Sequence, residues 1–124
     1  MLNSEDLNKY IKALLNKSEE AYLMSIEIIN KPTINYRTEG FCFFICNAWE
    51  LLLKAYLINK ANDINVINFK DDSNRTIGLD ECVERVFTST TDKTKTNISF
   101  IRNIRNKSTH LILPEFDFML APAF

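Results

Sequence analysis

Residues that let a chain turn sharply are scarce here. Glycine occurs only at Gly40 and Gly78, and proline only at Pro32, Pro114 and Pro122, in 124 residues. Folds made of many short strands need turn signals roughly every 8–12 residues, and this chain does not supply them. It is therefore expected to build a few long helices with short connections, an all-α fold. The length suits one domain with its own core. A content of 46% hydrophobic and 25% charged residues is ordinary for a soluble globular protein.

Helix starts and stops can be placed along the chain. Ser4-Glu5-Asp6 puts a capping residue and two carboxylates where the helix dipole favours them. Leu7, Tyr10, Ile11, Leu14 and Leu15 then recur at helical spacing, predicting a helix to about Asn16. Ser18-Glu19-Glu20 repeats the start signal, and Ala21, Tyr22, Ser25, Ile26 and Ile29 carry the pattern to a stop at Asn30-Lys31-Pro32. The two stretches form either two helices or one bent helix. Thr38-Glu39 opens what is expected to be the longest element, running to about Lys60. Residues 61–77 are rich in Asn and Asp and read as an irregular excursion, with Val66, Ile67 and Phe69 either forming a short strand or docking on the bundle. A short helix over Leu79 to Phe87, an exposed loop over 88–96 and a last long helix from about Thr94 to Leu113, stopped by Pro114, complete the pattern. The apolar tail after Glu115 is expected either to dock on the bundle or to lead into more chain. The second reading makes residues 1–124 the leading domain of a longer protein.

Charge and cysteine usage narrow the function. The formal net charge of −1 gives no global positive field, so any nucleic-acid contact must be local. The N-terminus lacks the basic, apolar, small-residue order of a secretion signal. The most apolar run, Phe41 to Ile58, is interrupted by Asn47, Glu50 and Lys54, as in a buried helix rather than a membrane span. Cys42, Cys46 and Cys82 cannot all pair within one chain, none lies in a C-x-x-C unit, and the chain has a single histidine. Three reduced, buried thiols in a cytoplasmic protein, with no metal site and no cofactor, are expected.

Two polar stripes stand out. On the last helix Ile98, Ile101, Ile104, Ser108, Leu111 and Ile112 share the core side, while Arg102, Asn106 and His110 fall in line opposite. Arg105 sits on the border, and its long fork can swing toward the polar line. Lys93, Lys95, Arg102, Arg105 and Lys107 make this helix basic, suited to an anion such as a phosphate, although a merely solvated face has the same pattern. The central helix is apolar almost all round, yet Asn47, Glu50 and Lys54 fall in one narrow stripe. Either Glu50 and Lys54 form a local i, i+4 pair, or the stripe faces the Arg102/Asn106/His110 line across a cleft or subunit interface.

Arg105-Asn106-Lys107-Ser108-Thr109-His110 resembles the R-x(4–6)-H signature of the HEPN superfamily (higher eukaryotes and prokaryotes nucleotide-binding), in which a polar residue often follows the arginine. Glu50-Leu-Leu-Leu-Lys54 is similar to the E-x-x-x-K motif that several HEPN families carry on an earlier helix. AWELLLKAYL followed by RNKSTHLILPE resembles a bacterial HEPN family associated with defence islands. The resemblance spans about Ala13 to Phe116. It implies a four- to five-helix up-and-down bundle that dimerises across the two R-x4-H helices, bringing both into one cleft. It also implies metal-independent endoribonuclease activity with RNA as partner. Some HEPN toxins carry a tyrosine two residues after the histidine that an antitoxin modifies; here that position is Ile112, which argues against silencing by that route.

The residues suit that chemistry. RNA supplies its own nucleophile, the 2′-OH, so the protein needs a proton-transfer group and support for a crowded phosphoryl transition state. His110 fits the first role and Arg105 the second. Asn106, Arg102, Glu50, Lys54 and Asn47 are the expected supporting or RNA-binding residues. The expected function is a dimeric ribonuclease of bacterial defence or a toxin–antitoxin response, held in check by an antitoxin or regulatory domain. The alternative is a noncatalytic dimerisation or nucleotide- or RNA-binding module.

Overall fold

The computed structural model describes residues 3–70 and 72–108 of the chain. Helix α1 spans Ser4–Ile29 and is capped by Asn3, whose side-chain oxygen accepts from the Asp6 amide at 2.8 Å. Of the two readings the sequence allowed, the single helix is correct. Ser18 does not start a new helix. It is buried inside α1, and its hydroxyl donates to the Ala48 carbonyl at 2.7 Å. A serine at this crossing keeps the side chain small and gives its hydroxyl a buried partner. α1 ends where Asn30-Lys31-Pro32 predicts, with the Asn30 side chain donating to the Ile26 carbonyl at 2.9 Å.

Helix α2, Arg37–Ala61, begins one residue before the expected Thr38 opening, and at 25 residues it is one shorter than α1 rather than the longest element. Thr38 lies in its first turn, fully buried, and its Oγ1 makes no hydrogen bond among the described residues. Asn62, with φ of 54°, ends the helix in the left-handed conformation that asparagine tolerates. α1 and α2 run antiparallel: Leu7 packs in one cluster with Leu53, Leu57 and Ile58, while Ile29 packs in another with Phe41 and Cys42. Gly40 permits their close approach at the turn end, since a Cβ there would meet Ile28 Cγ2 at 3.1 Å.

The irregular excursion has more order than its composition suggests. Asp63 caps a 3₁₀ turn over Ile64–Ile67, followed by an antiparallel pair, β1 (Asn68–Phe69) and β2 (Asp72–Thr76). The Ile77 amide donates to the Ile67 carbonyl at 2.8 Å and closes the base of this hairpin. Both isoleucines are buried against α2 and α3, which anchors the polar hairpin to the bundle. Helix α3, Leu79–Val86, buries Leu79, Cys82 and Val83 at i, i+3 and i+4. Asp92 starts helix α4, Lys93–Ser108, by accepting from the Thr94 and Lys95 amides at 2.8 and 3.1 Å.

The described residues thus form an all-α bundle of four helices carrying one two-stranded hairpin. α2 is the helix on which the others pack. By length and composition it is apolar enough to cross a membrane, and 56% of its most apolar window is buried within the bundle.

Candidate active site at the end of the last helix

Ile98 and Ile104 are buried on the inner side of α4, as their spacing predicts, and Ile101 packs beside them. The other side of the helix divides into two parts. Between Lys95 and Arg102, Arg102 Nε lies 3.0 Å from Asp80 Oδ1 and Lys95 Nζ lies 3.3 Å from Glu84 Oε1, so two basic side chains of α4 bind acids of α3. Toward its end, Arg105 Nε and one terminal nitrogen both donate to Asn106 Oδ1, at 3.3 and 3.2 Å. The Ser108 hydroxyl donates to the Arg105 carbonyl at 2.7 Å, one turn back on the same helix. His110 lies outside the described residues, as do Thr109, Leu111, Ile112, the expected stop at Leu113-Pro114 and the apolar tail.

The α2 stripe adopts the local pairing. Lys54 Nζ donates to Glu50 Oε2 at 2.9 Å and to Thr76 Oγ1 at 2.8 Å, with the lysine side chain 7% and the glutamate 27% exposed. Burying a lysine this deeply is costly unless its ammonium has such partners. Its second partner comes from β2, so this part of the stripe looks toward the hairpin rather than toward α4. Asn47 is half-buried on the same helix.

Cys46 lies between the two stripes. Burial pushes its thiol up to about 11, Arg105 and Arg102 act against that rise, and Asp80 and Glu50 add to it. One turn earlier, burial raises the Cys42 thiol to about 12, with Cys46 and Glu39 adding and Arg105 opposing. Burial also takes Cys82 to about 11. All three cysteines are free and buried, and such thiols are poor nucleophiles.

Arg105 and Ser108 also form one wall of a groove of about 280 Å³. Ile28 from the last turn of α1, Ile34 and Tyr36 from the connection to α2, and Glu39, Gly40, Phe43 and Phe44 from the first turns of α2 make up the rest. The sequence reading missed these neighbours because it took Thr38-Glu39 only as a helix start. Their signal was present in Tyr36 and Phe43, aromatic residues seven apart with a carboxylate between them.

The fold and this helix end define a small helical bundle with an Arg–Asn pair beside a groove. A family model described as a domain of unknown function, DUF3644, matches residues 13–124, and the chain belongs to that family. No curated protein and no solved structure matches it.

Proposed function

We propose that this chain is a metal-independent endoribonuclease of HEPN type, acting as a homodimer on RNA. The observation that carries the reading is the Arg105 fork held on Asn106 at the groove end of α4, five positions before His110 in the sequence. In this reading the ribose 2′-OH attacks the adjacent phosphorus. His110 transfers the protons, from the attacking hydroxyl or to the leaving 5′-oxygen. The Arg105 guanidinium donates to the non-bridging oxygens as charge builds on them, and Asn106 sets the fork's direction. The products are a 2′,3′-cyclic phosphate and a 5′-OH. Pairing of two α4 helices across a two-fold axis assembles the cleft from both chains. The protein acts in the cytoplasm, in bacterial defence or a toxin–antitoxin response, under an antitoxin or regulatory domain.

A second reading, a noncatalytic binding or dimerisation module, draws support from a different observation. Lys54, Glu50 and Arg102 each have structural partners, so three of the seven expected site residues already serve packing. Cleavage of a mixed RNA pool in EDTA, with 3′-end analysis, separates the two. Cyclic-phosphate ends made by the wild type and absent with His110→Ala establish the ribonuclease. No cleavage by a folded dimer favours the binding module, and equal cleavage by both proteins removes His110 from the reaction.

A further inference from the structure

The groove beside Arg105 combines three chemistries that belong together in few ligands. Two of its walls are aromatic and open to solvent, Tyr36 at 65% and Phe43 at 58% exposure. The Phe43 ring meets Phe44 edge-on, with centroids 5.2 Å apart and planes at 87°, which braces it while leaving it exposed. Glu39 supplies a half-buried carboxylate, and Arg105 supplies a cation on the opposing helix. A flat ring on the aromatics, N–H donors toward Glu39 and an anion toward Arg105 together describe a nucleotide. The volume, about 280 Å³, lies just below the roughly 300–1,000 Å³ usual for drug-sized ligands, and so suits one base rather than a longer segment.

We infer that this groove is a base-binding subsite selective for guanine, with Glu39 reading the base and Tyr36 and Phe43 stacking on it. The inference rests on the ribonuclease reading for its substrate, RNA, but not for the chemistry of the groove. An ionised carboxylate has only acceptors. Guanine alone presents two adjacent donors on its pairing edge, N1–H and N2–H, which match the two oxygens of Glu39. Adenine and cytosine place a ring-nitrogen acceptor beside their amino group, and uracil flanks its single N–H with two carbonyl oxygens. Each of these sets a lone pair against the carboxylate. The aromatic platform does not discriminate among bases, because every base has a π-face. Selectivity therefore resides in Glu39 and affinity in the rings.

The test is calorimetric titration of the full chain with the four ribonucleoside 5′-monophosphates. A parallel arm uses 2′-O-methyl trinucleotides that differ in the central base and cannot be cleaved. GMP and the guanine trinucleotide are expected to bind about tenfold tighter than their counterparts, as for one good bidentate contact. Glu39→Gln keeps a side chain of the same size and should bring the four ligands to within about twofold of each other. Phe43→Ala should weaken all four by about tenfold while preserving their order. Four equal affinities, no detectable binding at millimolar nucleotide, or a guanine preference that survives Glu39→Gln would each overturn the subsite. If GMP shows the preference and the trinucleotide does not, the ligand is a free guanine nucleotide and the RNA assignment fails. Mapping cleavage sites separates this inference from the reading beneath it. RNA cut without regard to guanine keeps the ribonuclease and removes the subsite, whereas selective guanine binding without cleavage keeps the subsite and removes the catalyst.

Discussion

Arg102 and Arg105 stand one turn apart on α4 and have different surroundings. Arg102 reaches back to Asp80 on α3, while the Arg105 fork turns to Asn106 on its own helix and borders the groove. Spacing along a helix says which residues share a side, but the element opposite decides what a charge is for. Where α3 provides acids, the basic side chains join elements together. Beyond the end of α3, the same kind of side chain lines a groove together with residues of the α1–α2 end. The Glu50–Lys54 stripe teaches the same lesson on α2, where the hairpin supplies Thr76 as a third member.

The largest effect that sharpens this contrast lies in cleavage. Arg105→Ala and His110→Ala should each lower the rate of RNA cleavage by about 10²–10⁴-fold, and Arg105→Lys should restore only part of it because the bidentate fork is lost. A rate indifferent to Arg105→Ala would erase the distinction between the two arginines. Next comes Lys54→Met, which leaves Glu50 without its cation. It should cost about 1–3 kcal/mol in urea unfolding, with part recovered when Glu50→Gln is added. Full stability in the single variant would show that the stripe is not structural.

Alkaline pH probes the ground between the stripes. The folded thiols sit at about 11–12, against an ordinary value of 9.0. The unfolded chain therefore releases these protons first as pH rises. Their contribution is whole below pH 9 and disappears progressively as pH climbs toward the folded values. The urea midpoint should fall between pH 8 and pH 10, and fall less in Cys42→Ala than in the wild type. The smallest effect belongs to Arg102. With the Asp80 side chain 68% exposed, a double-mutant cycle on the pair should give a coupling of about 0.2–1 kcal/mol, reduced by added salt.

Much of the helical layout was readable from residue order alone. Periodicity and the Pro32 stop located α1, α2, α3 and α4 to within a few residues at the described ends. Ser18 misled because a Ser-Glu-Glu signal looks the same at a helix start and on the flank of a continuous helix, and only the carbonyl of Ala48 distinguishes them. The hairpin was hidden because β2 reads Asp-Ser-Asn-Arg-Thr, with few strand-forming residues. Its order comes from the docking of Ile67 and Ile77 and from the bond between Lys54 and Thr76. Arg105 and Asn106 were legible as a pair because they are neighbours in sequence. The groove around Arg105 was not, since its walls come from segments far from α4 in the chain.

That separation has a kinetic consequence. α1 and α2 are joined by a short turn and share two core clusters along their length. Elements that bury the most apolar contact are the last to open locally. α4 joins α1 and α2 from the far end of the chain, held by Ile98, Ile101 and Ile104 and by its ion pairs to α3. On partial opening the wall carrying Arg105 is expected to leave before α1 and α2 separate, since α2 shares more of its contacts with α1 than with α4. Amide protons of α4 should exchange with solvent ahead of those of α1 and α2, and the groove exists only while α4 is seated.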